Sequence, residues 1–309
     1  MDVRNRLSSS DIGWVTASND DASTTDGLDP LGEHTLLQLK RIDVPSHHRH
    51  FLAEVDGKPV GYAFIEIVDG AASGELFIHP ASRSHGFGKT LVEEVRSAAS
   101  SAGAETLLLW AHGDLDPAQR LAESQGFSQK RVLFQLGRPL SGAAEKPEPP
   151  NGIELRAFAP HQDEEELLRV NAAAFVDHPE QGRLSLSDLR QRMSERWFDA
   201  SGLVTAWRGD QMVGFHWTKT HPDGNGEVYV LAVDPQAQGM KLGRLLTNAG
   251  LEHLASRGLE SVILYVDGSN TKAVQLYRNA GFTQRRIDVQ YAVQLLDVHL
   301  VRVVDFAGQ

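Results

Sequence analysis

The sequence contains one pattern twice, and the two copies lie 155 positions apart. In the first copy an apolar run ends in His79-Pro80 and is followed by the loop 83–88. In the second copy a similar run ends in Asp234-Pro235 and is followed by the loop 238–243. A period of this length is the size of a domain, so it indicates a tandem duplication and not a solenoid.

The second copy shows the pattern most fully. Residues 227–233 are an apolar, β-branched run that predicts a buried strand, and Pro235 ends it because proline cannot donate to a ladder. A glycine-bearing loop leads into a predicted helix at 245–254, and a strand follows at 261–266. Strand, loop and helix in this order offer several backbone N–H groups to one anion. The fold class predicted is therefore α/β (α+β), with a sheet flanked by helices in each copy.

The first copy carries the same kinds of element after a polar, acidic segment. Residues 1–30 are polar, although Trp14 and Val15 are able to anchor part of them. The predicted elements are a helix at 31–39, a hairpin of strands 51–55 and 59–67, a strand at 76–80 and a helix at 91–99. Residues 141–152 form a polar linker rich in proline and glycine. We therefore predict domains at 1–140 and 153–309.

Composition excludes several classes of protein. A formal net charge of −11 over 309 residues argues against a nucleic-acid binder, which would carry a basic face. The absence of cysteine excludes disulfides and thiolate metal sites. No apolar run approaches a membrane span, and the N-terminus lacks the apolar region of a signal peptide. We expect a cytoplasmic protein without a membrane partner, and a monomer, although no surface pattern in the sequence indicates the oligomeric state.

The motifs resemble the acyl-coenzyme A core of GNAT-type N-acetyltransferases. The likeness rests on a strand ending in Val-Asp-Pro, a Gln-x-x-x-x-Gly loop, and a later Asn-x-x-Ala-x-x-x-Tyr-x-x-x-Gly-Phe segment. In that family the loop amides hold the pyrophosphate of the cofactor and the strand end hydrogen-bonds its pantetheine arm. Lys241 departs from the family's middle glycine, which weakens close backbone approach to phosphate but adds a positive charge.

The resemblance implies acetyl-coenzyme A contacts in both copies, as a cosubstrate, with no metal. In the second copy they are Leu231, Ala232, Val233, Gln238, Gly239, Met240, Lys241, Leu242, Gly243, Arg244, Asn270, Thr271, Lys272, Ala273, Val274 and Gln275. In the first copy they are Leu76, Phe77, Ile78, Ser84, His85, Gly86, Phe87, Gly88 and Lys89.

Only the second copy has polar groups suited to proton transfer. The matching positions, second copy first, are Glu227 and Ala72, Asn270 and Leu115, and Tyr277 and Ala122. The first domain is therefore predicted to bind acetyl-coenzyme A without catalysis. In the second, Glu227 is the predicted base and Tyr277 the predicted acid, with a strand-end amide stabilising the oxyanion.

Each assignment has a plainer alternative. An acidic residue that opens a strand is most often solvated, and an aromatic residue on a helix often only packs in the core. Asn270 is suited to capping a helix, a role compatible with a cofactor contact. Tyr265 is suited equally to core packing and to substrate contact. The histidines at 47, 48 and 50 lack a second ligand group at convincing spacing, so a solvated loop is favoured there over a metal site.

Several further stretches are similar to the mycothiol synthase family of actinobacteria, whose members are tandem GNAT enzymes. They include residues 31–33, 174–182, 217–222 and 227–230. The resemblance implies acetyl transfer to the cysteinyl amine of a cysteine–glucosamine–inositol conjugate, the last step of mycothiol biosynthesis. The substrate contacts that it implies are Glu33, Glu180, Lys219, Glu227 and Tyr265, with Glu33 reaching the acceptor from the first domain.

Two alternatives stay open at this point. One is a GNAT enzyme for another acceptor, such as an aminoglycoside, a polyamine or a protein N-terminus. The other concerns the first domain alone, as a module that senses acyl-coenzyme A or only braces the second.

Overall fold

The computed structural model of the chain describes residues 2–4, 7–41, 44–140, 148–176 and 181–295. These residues form two compact units. Unit 1 runs to Leu133 and is completed by residues from Ile287 onward, and unit 2 is Phe134–Arg286. No helix in the described ranges has the length and apolar character needed to cross a membrane.

Unit 1 is a mixed sheet with four helices in its described part. Its strands are β1 (Asp2–Arg4), β2 (His48–Val55), β3 (Lys58–Val68), β4 (Ala71–Ile78) and β5 (Thr106–Ala111), and its helices are α1 (Ser9–Asp26), α2 (Glu33–Leu39), α3 (Phe87–Ser101) and α4 (Asp116–Ser124). The strands pair in that order, antiparallel except for the parallel pair β4–β5. The crossover helix α3 buries Leu91, Val92 and Val95 at helical spacing against the sheet.

Unit 2 repeats this arrangement. Its strands are β7 (Glu154–Ala157), β8 (Leu203–Arg208), β9 (Gln211–Thr220), β10 (Gly226–Val233) and β11 (Ser261–Asp267), and its helices are α5 (Glu164–Ala174), α6 (Leu186–Met193), α7 (Leu242–Ser256) and α8 (Thr271–Asn279). Here too the strands pair in order, with one parallel pair, β10–β11. The connection α7 buries its apolar face, including Leu246 and Leu254.

One long strand follows the last helix of each repeat. The first is β6 (Ser128–Pro139) and the second is β12 (Thr283–Gln294). Residues 134–139 of β6 belong to unit 2, and residues 287–294 of β12 belong to unit 1, where Val289 to Gln294 pair with β5. The compact units therefore differ from the predicted domain bounds at these two strands, while the placing of the domain boundary in the linker stays a prediction.

The 155-residue offset holds element by element. β4 and β10, α3 and α7, α4 and α8, and β6 and β12 each have bounds separated by this offset. The register therefore runs back through the strand before the loop, and the match of Ala72 with Glu227 is confirmed. The predicted hairpin around Asp56-Gly57 and the short helix that begins at Glu33 are also confirmed.

Candidate active site

The parallel strands of unit 2 separate at the end of the sheet where the loops lie. Pairing between β10 and β11 runs only as far as Val228 and Leu264, although β10 continues to Val233 and β11 to Asp267. On its other edge β10 stays paired with β9 to Val233, through a bulge between Val228 and Val230. Leu231, Ala232 and Val233 therefore line an opening between two strands, where a ligand can reach their backbone groups.

The loop after β10 has two left-handed positions. Gly239 and Lys241 have φ of 88° and 60°, and the matching residues of unit 1, Ser84 and Gly86, have 64° and 83°. The helices α7 and α3 begin directly after these loops, and neither N-cap side chain makes a capping hydrogen bond. Successive N–H groups in such a turn, together with a helix N-terminus, form an anion-binding concavity. The predicted phosphate loop therefore has left-handed residues at the same two positions in both units, although Lys241 stands where unit 1 has Gly86.

Replacing Lys241 by glycine should stabilise the protein. A side chain in the left-handed region destabilises the folded state by about 1–2 kcal/mol. Introducing glycine also stabilises the unfolded state by roughly 0.4–1 kcal/mol, because it raises the conformational entropy of the unfolded chain, but this effect is smaller. We expect the free energy of unfolding in urea to rise by about 0.5–1 kcal/mol. Gly239→Ala is the reciprocal control and should lower it, since a Cβ there meets no atom within 4 Å and only φ opposes it. A stability loss in the Lys241→Gly variant would contradict the left-handed conformation.

Asn270 caps the helix that follows β11. Its side-chain oxygen accepts a hydrogen bond from the Ala273 N–H at 3.1 Å, and residues 271–275 form the first turns of α8. The predicted capping role is confirmed. This helix start lies at the end of β11, the strand on the far side of the opening.

Glu227 is buried near the start of β10. Only 6% of its surface is exposed, and its Oε2 lies 2.5 Å from Nε2 of His221. Its register partner on β9 is Lys219, whose Nζ lies 4.8 Å from the ring centre of Trp197 and 5.2 Å from that of Tyr229. The alternative of a solvated strand end is therefore wrong for Glu227. It is a buried side chain held beside an imidazole and a cation–π cluster.

Tyr265 lies on the same face of the sheet as Glu227. Ile263 is the register partner of Glu227, and side chains two residues apart on a strand share a face. The Tyr265 side chain is 38% exposed, and its hydroxyl accepts hydrogen bonds from Gln135 at 2.7 Å and Arg286 at 3.2 Å. This exposure favours substrate contact over core packing.

Tyr277 lies on the opposite face. It is buried on α8 among Val228, Leu264 and Val266, with its ring edge-on to Phe282 at 5.8 Å. Burial raises its pKa above the usual value of a phenol, so it stays a neutral O–H group throughout the physiological range. The core-packing alternative is thus part of its role. Glu227 and Tyr277 flank the sheet from its two faces where β10 and β11 begin to separate.

Unit 1 contains a cavity at the matching place. Its parallel pair β4–β5 stops at Gly74 and Leu109, and a cavity of about 520 Å³ lies beyond that point. Of the residues predicted to bind cofactor there, the lining includes Leu76, Phe77, Ile78, Ser84, Gly86, Phe87, Gly88 and Lys89. His85 lies beside it, stacked on Phe87 with its Nδ1 2.7 Å from the Arg83 carbonyl oxygen.

Comparison with known proteins assigns the family. The profile described as the "Acetyltransferase (GNAT) family" matches residues 15–127 and 168–282, one match for each repeat. The chain belongs to this family. It is an acetyltransferase, and the predicted class of enzyme is confirmed.

Several curated relatives share the name mycothiol acetyltransferase. The mycothiol acetyltransferases of Thermomonospora curvata and Thermobispora bispora are 47% and 46% identical, over 92% and 90% of this chain and 94% of each of theirs. That of Stackebrandtia nassauensis is 42% identical over 96% of this chain and 99% of its own. The likeness to the mycothiol synthase family is therefore confirmed.

Solved structures support the tandem GNAT fold. A tandem GNAT protein of the clavulanic acid biosynthesis pathway superposes with a TM-score of 0.71 at 17% identity, covering 92% of this chain and 95% of its own. A GCN5-related N-acetyltransferase of Sphaerobacter thermophilus gives 0.67 at 24% identity, covering 95% of each chain.

Glu33 and Glu180 are the remaining predicted substrate residues of this GNAT chain. Glu33 is the first residue of α2 in unit 1, directly after Gly32, whose N–H donates to Glu75 Oε2 at 2.8 Å. Glu180 lies outside the described residues. The roles of both stay predictions.

Sequence reasoning missed the groups that surround Glu227 and Lys219. The stretch 217–222 was matched to relatives, but His221 was given no role, and Trp197 and Arg192 were not considered. Arg192 donates to the Tyr229 hydroxyl at 2.9 Å. The turn at Pro222-Asp223-Gly224-Asn225 is a usable signal, because a tight turn between two strands places His221 close to Glu227.

It also missed a buried charge cluster in unit 1. The imidazole of His112, which lines the cavity, contacts Glu75 Oε1 at 3.0 Å and Asp288 Oδ2 at 3.1 Å. Burial alone would lower the pKa of His112, but hydrogen bonds to Asp288 and Glu75 outweigh it and raise the pKa to about 10. The three groups are far apart in sequence, and no local spacing indicates them.

Proposed function

We propose that this chain transfers acetyl from acetyl-coenzyme A to the cysteinyl amine of a cysteine–glucosamine–inositol conjugate, completing mycothiol. The observation that carries the reaction is the opening between β10 and β11, with Glu227 on one face of the sheet and Tyr277 on the other. The name shared by relatives that are 40–47% identical supports the acceptor.

The groups around the opening fit the cofactor. Acetyl-coenzyme A supplies the acetyl group as a thioester and carries a pyrophosphate. The left-handed positions of the loop 238–244 and the uncapped start of α7 suit the pyrophosphate, and Lys241 adds a cation. The backbone of residues 231–233 suits the amides of the pantetheine arm, and the start of α8 at 270–275 borders the same opening.

Glu227 is the proposed base. An α-amine has a pKa of roughly 7.7–8.0 and is largely protonated at neutral pH, so it must lose a proton before it attacks. The carboxylate of Glu227 accepts that proton, directly or through water, while its contact with His221 holds it in place. As the amine adds to the acetyl carbonyl, a backbone N–H within 231–233 donates to the developing oxyanion. No covalent enzyme intermediate is needed.

Tyr277 is the proposed acid. When the new amide forms, the carbon–sulfur bond breaks and the sulfur leaves with its electron pair as a thiolate. The Tyr277 hydroxyl hydrogen-bonds to that sulfur and transfers its proton to it, which yields the free thiol and a tyrosinate that regains a proton from water. Because burial raises its pKa, the hydroxyl is still protonated when the thiolate departs.

The Tyr277→Phe variant should lower kcat by about 10- to 100-fold. A hydrogen bond to a charged group contributes about 1.5–3 kcal/mol, and phenylalanine removes only that bond while keeping the ring against Phe282. Steady-state kinetics at saturating acetyl-coenzyme A would measure kcat, and the urea midpoint would show that the fold is intact. An unchanged kcat would reduce Tyr277 to a core aromatic residue.

Unit 1 is proposed to bind a second acetyl-coenzyme A without catalysis. Its loop retains both left-handed positions, and its cavity is lined by eight of the nine residues predicted from sequence, but Ala72 and Ala122 replace the base and acid. Calorimetric titration of the whole chain should give two sites for coenzyme A. A single site that is abolished by changes in the unit 2 loop would favour the bracing role, and a second site whose occupancy alters turnover would favour sensing.

The decisive experiment is incubation with acetyl-coenzyme A and the cysteinyl conjugate, followed by mass analysis of the product. Acetylation of the cysteinyl nitrogen is the expected result. No product on that conjugate, with acetylation of a polyamine, an aminoglycoside or a protein N-terminus, would select another GNAT acceptor. A cytoplasmic monomer that binds neither nucleic acid nor membrane stays our prediction.

A further inference from the structure

Three histidines of unit 1 converge on one carboxylate. The Nε2 atoms of His47 and His48 lie 3.2 Å and 3.4 Å from Oε1 of Glu66, and Nε2 of His34 lies 3.4 Å from Oε2. One ligand atom each from His47, His48 and Glu66 lies within 4.8 Å of the others. The sequence favours a solvated loop for His47, His48 and His50. That interpretation is wrong for His48 and His50, which are buried on β2, and Glu66, eighteen residues after His48, is a further candidate ligand.

The backbone fixes this arrangement. His48 and Glu66 are direct register partners on β2 and β3, so their side chains share a face. His47 lies in the turn before β2 and its carbonyl accepts from the Ile67 N–H at 2.9 Å, which lets its ring stand edge-on to that of His48 at 4.6 Å. His48 is 3% exposed and packs on Phe64, while His47 and Glu66 remain open to solvent.

The distances are compatible with a shared ion as well as with ion pairs. Charge-assisted N–H···O⁻ contacts are about 2.7–2.9 Å long, and Arg83 and Asp26 of the same unit meet at 2.7 Å. Ligand atoms about 2.0–2.1 Å from a tetrahedral zinc ion are separated from each other by about 3.4 Å. The two contacts to Oε1, at 3.2 Å and 3.4 Å, match that separation.

Burial and packing hold the His48 ring in a fixed position. It is 3% exposed and stands edge-on to Phe64 with ring centres 5.1 Å apart. Imidazole is the commonest metal ligand among side chains.

We propose that His47, His48 and Glu66 bind one divalent transition-metal ion of the zinc type. Two imidazoles and one carboxylate are one of the ligand sets of three-ligand zinc sites, which leave a fourth position for water. Magnesium and calcium prefer oxygen ligands, so two imidazoles make their binding here unfavourable. His34 contacts the other carboxylate oxygen and so orients Oε1 toward the two histidines. The ion joins the turn before β2 to β3.

The test uses the full chain without an affinity tag, stripped of metal with a chelator that is then removed. We expect calorimetric titration with zinc to give one site per chain, and cobalt substitution to give the visible bands of tetrahedral Co²⁺. Zinc should also raise the thermal midpoint of the wild-type protein. Absence of both heat and cobalt bands at millimolar metal would overturn the proposal.

Variants locate the site. His47→Ala and Glu66→Gln should each weaken zinc binding by more than 100-fold, and His34→Ala by roughly 10- to 100-fold, as for removal of an outer partner. His161→Ala, at an exposed histidine of unit 2, is the matched control and should leave affinity unchanged. Equal affinity in the His47→Ala and Glu66→Gln variants would place the ion elsewhere and overturn the assignment. Circular dichroism of each metal-free variant separates loss of the site from loss of the fold.

Discussion

Replacing Glu227 by glutamine should lower turnover at pH 7 by about 10²- to 10⁴-fold, the range typical of losing a general base. Glutamine keeps the size of the side chain and a hydrogen-bond acceptor for His221, but it cannot take a proton from the amine. Affinity for acetyl-coenzyme A should change little, because the proposed phosphate loop follows the other end of β10. Steady-state kinetics and a separate cofactor titration measure the two effects.

The pH dependence of the Glu227→Gln variant sharpens this test. Without the base, the enzyme depends on amine that has already lost its proton in solution, and that fraction rises as pH approaches roughly 8. The rate of the variant should therefore rise with pH, and its deficit relative to the wild-type protein should shrink above pH 8.

Glu252→Gln is a matched control for the loss of a carboxylate. Glu252 is exposed on α7 in the same unit, so its removal changes net charge by the same amount. We expect wild-type kinetics in that variant. Unchanged turnover of Glu227→Gln at pH 7 would remove Glu227 as the base, and a deficit that does not vary with pH would point to a binding role instead.

The fold was predictable because the elements predicted in one copy of the duplicated sequence could be compared with those predicted in the other. A strand, a turn that needs left-handed residues and an amphipathic helix recur at one offset, and each copy supports the assignment of the other. Gly86 and Lys241 show the limit of residue identity in such a comparison. They differ in chemistry, yet the tertiary structure imposes the same left-handed backbone on both.

The positions of Glu227 and Tyr277 were predictable, but their surroundings were not. Strand periodicity and the family motif place Glu227 at the start of a strand and Tyr277 on the helix after the next strand. The burial of Glu227 depends on His221, which a turn places beside it. The environment of Lys219 depends on Trp197, which comes from a distant segment of the chain. Contacts between residues brought together by tertiary folding leave no periodic signal in the sequence.

The N-terminal segment shows how tertiary contacts override composition. Residues 9–26 are polar and acidic, but they form an 18-residue helix with Val15 fully buried. Trp14 stacks near Phe77 and Asp26 forms a bidentate ion pair with Arg83. In the sequence, Trp14 and Val15 indicate that part of the segment is anchored.

Replacing His112 by glutamine should lower the free energy of unfolding by about 3–5 kcal/mol, the range for removing one partner of a buried charge cluster. Glu75 is 7% and Asp288 is 2% exposed, so both carboxylates would lose their counter-charge in a place that water hardly reaches. Burial alone would raise the pKa of Glu75, but the hydrogen bond and the charge of His112 outweigh it and lower the pKa. Urea unfolding of the full chain, followed by circular dichroism, measures the change.

The contribution of this cluster to the free energy of unfolding changes with pH in a defined direction. The folded-state pKa of His112 is raised from 6.5 to about 10, so its contribution is fully present below pH 6.5 and is lost as pH rises toward 10. The pKa of Glu75 is lowered from 4.5, so its contribution is present above pH 4.5 and is lost as pH falls further. The difference between wild type and the His112→Gln variant should therefore be greatest between pH 4.5 and pH 6.5.

His85→Gln separates this effect from the general loss of a histidine, since His85 is exposed in the same unit and should change stability by less than about 1 kcal/mol. A difference between wild type and His112→Gln that grows steadily from pH 6.5 to pH 10 would have the wrong sign and would mean that His112 is neutral in the folded protein.

The cluster is also connected to Glu33, a predicted acceptor contact. Glu75 accepts from the N–H of Gly32, the residue before Glu33, so the imidazolium holds in place the carboxylate that fixes the start of α2. If Glu33 binds the acceptor as predicted from the sequence, His112→Gln should raise the KM for the acceptor while the KM for acetyl-coenzyme A stays near that of the wild-type protein.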